Sequence, residues 1–341
     1  MADLPNDSHP YENLTPDAVL DAIESQDYWS DQRIYPLNSY ENRVYQVGIE
    51  DKQPIIAKFY RPNRWSNEQI QEEHDFTLEL AAQELPVVVP IKNDEGATLR
   101  HFDTKAQPSS GFYFALYERR GGRAPELDNL EHLEVIGRLM GRMHNIGASK
   151  DFVHRPAISL QNFAVDSANF LLDSDFLPSS LRDSYQSLSE DLIIQLKQHF
   201  ADTPAKQIRL HGDCHVGNML WRDDAPNFVD FDDARTGPAI QDLWMLLSGD
   251  RQQQVMQIET ILEAYEEFYA FDAKELKLIE PLRTLRLMYY AAWLARRWSD
   301  PAFPHTFTWF NTERYWGEHI LSLREQLSAL QEEPLKLSSF F

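Results

Sequence analysis

The sequence predicts an α+β chain of two lobes: an amino-terminal antiparallel sheet of five strands with one inward-facing helix, residues 1–119, and a mostly helical part, residues 120–341. Three observations predict it. Short runs of strand-type alternation recur up to Glu118, one capped amphipathic helix interrupts them, and from Leu130 onward apolar residues recur at helical steps. With 341 residues and 43% hydrophobic content, the chain can bury a core large enough for two lobes that share one cleft.

Thr15-Pro16-Asp17 reads as a helix start, Thr as N-cap and Pro in the first turn, with Val19, Leu20 and Ile23 as its apolar face. Arg33 to Leu37 follows, then the polar segment NSYENR, then a strand in which Tyr45, Val47 and Ile49 alternate with polar or small neighbours. After a turn at Asp51 to Pro54, Ile55 to Tyr60 forms the next strand. Val87 to Ile91, Thr98 to Phe102 and Phe112 to Glu118 complete the expected five.

Lys58 lies within IIAKFY, on the face of Ile56 and Tyr60 and opposite that of Ile55, Ala57 and Phe59. An amine in so apolar a strand needs a partner. Ser66 to Gln69 is a capping box that opens a helix running to about Leu85, on which Ile70, Glu73, Phe76, Thr77 and Leu80 form one stripe. Glu73 sits in the middle of that stripe, whereas Glu72 is rotated away by about 100°. A carboxylate centred on an apolar face pairs or costs several kcal/mol, roughly, on burial; Glu73 is therefore the expected partner of Lys58.

Past the polar join at Arg120 to Arg123, a helix runs from Leu130 to near Gly147, with His144 as a packed side chain. Leu181 to Phe200, Ile240 to Leu247, Val255 to Phe268 and Lys274 to Trp298 read as four more. The aromatic residues from Tyr289 to Trp316 could line a pocket for an organic cation, but ordinary helix packing is the weightier reading.

The chemistry concentrates in residues 211–233, HGDCHVGNMLWRDDAPNFVDFDD. Ile208 to Leu210, Met219 to Trp221 and Asn227 to Asp230 read as β-segments folded back on each other with a polar loop at one mouth. That loop brings Asp213 and Asn218 toward Asp230. One carboxylate then suits a substrate hydroxyl, while the Asn218 oxygen and the Asp230 carboxylate supply the hard oxygen donors that Mg²⁺ prefers. A metal-hydrolase site on His211, Asp213 and His215 is the competing reading; it leaves Asn218 idle and lacks the further histidines a two-metal centre needs. In NSYENR, Ser39, Asn42 and Arg43 offer hydroxyl, amide and guanidinium donors to phosphate oxygens; an ordinary polar hairpin tip fits equally well.

The set HxDxxxxN, the VDF turn, the strand Lys58 and the helix Glu73, in that order, resembles the protein-kinase-like fold. Gly212 between His211 and Asp213, and Asp232 two places after Asp230, make it similar to the aminoglycoside phosphotransferase, choline kinase and homoserine kinase branch. The stretch from Asp230 to Asp242 has no room for a long activation loop. LNSYENRVYQ, AKFYRPNRW, EEHDFTLEL, LHGDCHVGNMLWRD and DDARTGPAIQDLWMLL resemble a proteobacterial family of stress-response Ser/Thr kinases within that branch. The resemblance implies ATP as phosphoryl donor with Mg²⁺, a protein hydroxyl as acceptor, with autophosphorylation left open, and a monomeric enzyme. It implies Asp213 as catalytic base, Asn218 and Asp230 as metal ligands, and Lys58 and Ser39 at the nucleotide. It also implies a hinge from Glu118 to Arg120 whose backbone meets adenine, and a structural role for Asp242. The alternative is a small-molecule kinase of the same branch.

The formal charge of −22 opposes binding to nucleic acid or to an anionic membrane surface. Cys214 is the single cysteine, so no disulfide framework exists and a reducing, cytoplasmic setting is expected, with the thiol packed and unreactive beside Asp213. No apolar run is long enough to span a bilayer and the amino terminus lacks the features of a signal peptide.

Overall fold

The computed structural model describes residues 9–104 and 111–337; the first residues of the amino terminus, weighed above for a signal peptide, lie outside the described residues. The chain divides into two compact units, Met1–Ala124 with Gly217–Asp232, and Pro125–Val216 with Asp233–Phe341. The division expected between residues 119 and 120 is thus drawn differently. Backbone bonds between Arg123 and Trp221, 3.1 and 2.7 Å, tie the polar join to the segment that returns to the first unit.

In the first unit, α1 (Pro16–Glu24) starts at Thr15, whose hydroxyl caps the Ala18 amide, as read from the sequence. Five antiparallel strands follow: β1 (Ser30–Pro36), β2 (Arg43–Ile49), β3 (Ile55–Phe59), β4 (Arg100–Asp103) and β5 (Gly111–Glu118), in the order β1-β2-β3-β5-β4. The two-residue period of β3 divides its side chains as expected. Ile55, Ala57 and Phe59 bury against α1 with Val47, Ile49, Phe112, Phe114 and Leu116, whereas Ile56 and Lys58 face the other side. α2 (Asn67–Ala82) carries the Ser66–Gln69 capping box, and its buried stripe includes Ile70, Glu73, Phe76, Thr77 and Leu80.

The strand count is as expected but one member is not. Val87 to Ile91 makes only isolated bridges, Val87 with Phe228 and Pro90 with Tyr117, because Pro86 and Pro90 lack the amide a ladder needs. Its place is taken by β1, a polar edge strand whose outward residues carry no apolar alternation. Of the segments around residues 208–230, the fold-back of Met219 to Trp221 on the strand that follows is as expected, whereas the partner of Ile208 to Leu210 is not. β6 (Ile208–Leu210) pairs with β9 (Arg235–Gly237), and β7 (Met219–Arg222) pairs with β8 (Ala225–Phe228) through a two-residue turn at Asp223 and Asp224. Both turn residues have positive φ, 52° and 64°, the geometry that matches the twist of a tight hairpin.

The second unit holds α3 (Leu130–Gly147), a π-helical turn (Gln161–Val165) leading into α4 (Asp166–Asp173), and α5 (Ser179–Asp202). After the β6–β9 ribbon come α6 (Ile240–Trp244), α7 (Arg251–Tyr265), a 3-10 segment (Ala273–Leu278), α8 (Ile279–Arg296), α9 (Ala302–Thr306) and α10 (Glu313–Ala329). The helical periods predicted α3, α5, α6, α7 and α8, but not α4, α9 or α10. In the last of these the aromatic content hides the period: Trp316 is fully buried, and Phe310 contacts Trp298 and Trp316 at ring distances of 4.8 and 5.6 Å. The aromatic-rich end is therefore helix-packing core.

Among the described residues, no helix is long and apolar enough to cross a membrane. α3 and α7 pack with unusually close backbones: a Cβ on Gly141 would stand 2.3 Å from the Tyr265 carbonyl oxygen. Overpacking of this kind typically costs ~1–3 kcal/mol. Gly141→Ala is expected to lower the unfolding free energy by that amount in urea titration; an unchanged midpoint and slope would show that the helices separate without cost.

Candidate functional site

Lys58 is placed by β3, whose register sets it opposite Val44 on β2 and Ala115 on β5. Its ammonium is buried and meets three carboxylates: Asp230 at 3.1 Å, Asp232 at 3.3 Å and Glu73 at 3.4 Å. Burial alone would discharge the amine; the Asp232, Glu73 and Asp230 carboxylates outweigh it and hold Lys58 charged, well above the ordinary lysine range. The pairing with Glu73 read from helical periodicity is thus present. Asp230 is reached across the sequence because Phe231 buries edge-on against Phe76 of α2, with ring centroids 6.1 Å apart. Asp230 itself adopts φ 60° and keeps 55% of its side chain exposed.

Lys58, Glu73 and Asp230, but not Asp232, border a cavity of about 370 Å³ that lies within the first unit. Ser39, Lys58, Glu73, Asn218 and Asp230 line it, and so do Glu118 and Arg120 of the expected hinge. Val44, Ile56, Val88 and Leu220 give it an apolar wall, which the sequence reading did not assign because residues of β2, β3, β7 and the Pro86–Pro90 segment meet there only in the fold. Glu118 and Arg120 also pair with each other at 2.8 Å. A flat apolar slot ending in an amine, an amide oxygen and an exposed carboxylate suits a purine nucleotide whose phosphates carry a divalent cation. Asn218 and Asp230 have the hard oxygen donors for that cation.

Two residues of NSYENR do not line this cavity, contrary to expectation. The Asn42 side chain is buried and accepts from the Arg61 amide at 3.1 Å. Arg43 donates to the Tyr40 carbonyl at 3.1 Å and lies over the Tyr11 ring at 4.4 Å. Donor type identified the segment but not the direction in which each side chain turns. Ser39 does line the cavity, its hydroxyl donating to the Asn42 carbonyl at 3.0 Å.

A second tier of charge went unread. Asp232 pairs with Arg64 at 2.6 Å, Arg64 with Glu41 at 3.2 Å, and Glu41 with Arg61 at 3.0 Å. The signal available was RPNR directly after the lysine strand.

In the second unit, Asp242 on α6 accepts from the amides of His211 and Gly212, each at 2.8 Å, and contacts His144 Nε2 at 3.2 Å. His144 in turn meets the Tyr265 hydroxyl at 2.8 Å. This is the loop-holding role expected for Asp242, and His144 is a packed, hydrogen-bonded side chain. Gly212 has φ 85°, and a Cβ there would fall 2.0 Å from the Asp233 carbonyl oxygen, so the turn itself calls for glycine between His211 and Asp213.

Asp213, on the loop so held, receives Arg286 of α8 at 2.5 Å and His215 at 3.5 Å. Burial would raise its carboxyl, but the His215 and Arg286 contacts prevail and leave it well below the usual carboxylate range. Cys214 is fully buried against Met140, with the sulfurs 3.7 Å apart, and burial pushes its thiol well up, in line with a packed role. Among the described residues no three His, Cys, Asp or Glu side chains gather as a metal-holding group, so His211, Asp213 and His215 do not form the competing hydrolase centre.

Comparison with known proteins bears on this arrangement. The model of the phosphotransferase enzyme family, APH, matches residues 33–279. The chain is 46% identical over 336 residues to stress response kinase A of Escherichia coli strain K12, covering 98% of this chain and 99% of that protein. It is 45% identical over 331 residues to serine/threonine protein kinase RdoA of Salmonella typhimurium LT2, with 97% and 98% covered. Among solved structures, amicoumacin kinase hAmiN in complex with AMP-PNP, Ca²⁺ and Ami has a TM-score of 0.70 at 18% identity, covering 91% of each chain. The microcompartment-associated aminopropanol kinase has a TM-score of 0.70 at 15% identity, covering 92% of this chain and 96% of that one. At such identities the likeness is one of fold.

The helix that carries Asp242 is itself anchored by a titratable group. Glu275 is buried and accepts from the Ile240 amide at 3.0 Å. Burial outweighs that hydrogen bond and raises its carboxyl to about 7. Because the folded value exceeds the unfolded one, the protonated form favours folding below the ordinary glutamate range, and this contribution is lost as pH rises through about 7. The loss amounts to ~3 kcal/mol at full ionisation. Glu275→Gln is expected to flatten the fall in unfolding free energy between about pH 5 and 8 relative to the parent, measured by urea titration at each pH; parallel profiles for the two proteins would remove Glu275 as the source.

Proposed function

The chain belongs to the phosphotransferase enzyme family and, within it, to the group of the stress response kinases A, and from that premise we propose that this ATP-dependent phosphotransferase is a Ser/Thr protein kinase. The observation that supports the reading most directly is the convergence of Lys58, Asn218 and Asp230 on one cavity with an apolar slot beside them.

In this reading adenine occupies the slot between Val44, Ile56 and Leu220, within reach of the Glu118–Arg120 backbone. Lys58, held by Glu73 and Asp232, steadies the α- and β-phosphates, and the Ser39 segment covers them. Mg²⁺, held by Asn218 and Asp230, supplies charge neutralisation at the phosphate oxygens. Asp213 orients the acceptor hydroxyl and takes its proton as the oxygen–phosphorus bond forms and the bond from the γ-phosphorus to the ADP oxygen breaks. Most of the acceleration then comes from positioning and electrostatics, because the transferring group makes little covalent demand on the protein.

The protein acceptor rests on the relative named a serine/threonine protein kinase, at 45% identity over nearly the whole chain. The fold neighbours favour a second reading, a small-molecule acceptor, since those proteins are named for amicoumacin and aminopropanol. The stress role rests on the names of the relatives, and a cytoplasmic location on the buried, unpaired thiol of Cys214.

Labelled ATP, Mg²⁺ and the purified chain, offered casein in one arm and a panel of amino alcohols and aminoglycosides in the other, separate the two acceptors. Label in protein with none in the small molecules supports the protein kinase; the reverse pattern overturns it. Asp213→Ala is expected to bind ATP with unchanged affinity by calorimetry yet to lose roughly 10²–10⁴-fold in turnover. Equal turnover of variant and parent would refute the base assignment.

A further inference from the structure

We propose that Arg286 is the positioning residue for Asp213, clamping one carboxylate oxygen so that the other meets the acceptor hydroxyl; this deepens, and rests on, the reading of Asp213 as the base. The geometry divides the two oxygens. Arg286 Nη1 lies 2.5 Å from Oδ1, whereas Oδ2 meets His215 Nε2 at 3.5 Å. Oδ1 is committed to the guanidinium. Oδ2 is the His215 side of the carboxylate, and in this proposal the acceptor hydroxyl joins it there.

Arg286 stands apart from the other arginines of α8 in what it reaches. Arg283 and Arg296 lie over the rings of Trp244 and Phe170, at 5.4 and 4.7 Å, and otherwise meet Glu280 one turn away on the same helix, at 2.8 Å, and the Asp166 carbonyl, at 2.9 Å. Arg286 reaches Asp213 instead. Its side chain is 42% exposed, and an ion pair so open to water contributes little to folding. The neighbours Leu285 and Met288 are buried and fix the helix backbone from which it extends. A rigid helix, a planar fork and a 2.5 Å contact are what hold a carboxylate in one rotamer; they are not what a stability device at this exposure would need.

The clamp has a defined place in the transfer. As the acceptor oxygen bonds to phosphorus and the bond to the ADP oxygen breaks, the hydroxyl proton passes to Oδ2 of Asp213 and then to solvent. Arg286 stays on Oδ1 and moves no proton. Arg286 from α8 and His215 from its own loop both meet the carboxylate. Together, His215 and Arg286 keep Asp213 ionised in the resting enzyme and ready to receive the proton.

The test uses the full chain and counts all ADP released from Mg-ATP with casein present, whether the phosphoryl group goes to protein or to water. Arg286→Met is expected to lower kcat by about 10–100-fold, with the KM for ATP within about twofold of the parent and the thermal midpoint nearly unchanged. Arg286→Lys, which keeps the charge but not the fork, recovers part of the loss and serves where the methionine variant folds poorly. A kcat within about twofold of the parent for both variants overturns the proposal, and so does a loss that appears as a raised KM for ATP with a lowered thermal midpoint. Asp213→Asn is run in parallel. If it retains turnover, the base reading falls and takes the clamp with it; if it loses turnover while both Arg286 variants keep theirs, only the clamp falls.

Discussion

The buried ammonium of Lys58 is the constraint around which the first unit is arranged. A charge taken out of water costs several kcal/mol, roughly, unless its partners are well placed, and three carboxylates surround this one. Those carboxylates then need partners of their own, which is why Arg64 reaches Asp232, and why Glu41 stands between Arg64 and Arg61. Among the contacts described, the cations Lys58, Arg61 and Arg64 meet the carboxylates of Glu41, Glu73 and Asp232. Asp230 is the third carboxylate on Lys58, and it is the one that keeps solvent exposure. A divalent cation at Asp230 would add positive charge at the exposed carboxylate and would leave Lys58 the Glu73 and Asp232 carboxylates to hold it.

The same network fixes the glycine-free segment NSYENR, which the proposed reading places over the phosphates. Flexible loops close on a ligand at an entropic cost. Here the backbone around Glu41 and Asn42 is already fixed: the Glu41 carbonyl accepts from Arg61 Nε at 3.0 Å and from the Tyr11 hydroxyl at 3.1 Å, and the Asn42 amide oxygen accepts from the Arg61 backbone. The side chains that pin the segment cannot at the same time bind phosphate. That is the physical reason Asn42 and Arg43 serve the loop's structure while Ser39 faces the cavity. In the second unit the catalytic loop is held by a comparable device built from hydrogen bonds, with Asp242 at its centre and His144, Tyr265 and Glu275 behind it.

What the sequence made legible follows from where periodicity and local chemistry carry information. The Lys58–Glu73 pair was readable because each residue violates an apolar pattern at one defined phase of a strand or helix. Caps at Thr15 and Ser66 are local, and both formed. By contrast β1 has no apolar phase to read, and Val87 to Ile91 has a strand's composition between two prolines that forbid a ladder. Arg64, Glu41 and Arg286 are ordinary charges in a chain with 32 basic and 54 acidic residues; only the fold distinguishes them from a solvated surface. The apolar wall of the cavity was hidden for the same reason, since Val44, Ile56, Val88 and Leu220 come from four separate segments.

The charge of the whole chain sets a further condition on its substrates. At −22 the field opposes the approach of any anion, and a triphosphate without metal would meet both that field and the Asp230 carboxylate. Neutralisation of two of its charges by Mg²⁺ would lower that barrier to encounter, and raising ionic strength should screen the part of the repulsion that acts beyond a Debye length of about 8–10 Å. An acceptor segment meets the same field with the opposite consequence when it is basic. The chain's acidity therefore biases acceptor choice toward cationic surroundings of the hydroxyl, whether these are lysines of a protein or amines of a small molecule. The net charge supplies attraction for both classes, so the contacts immediately around Asp213 must decide between them.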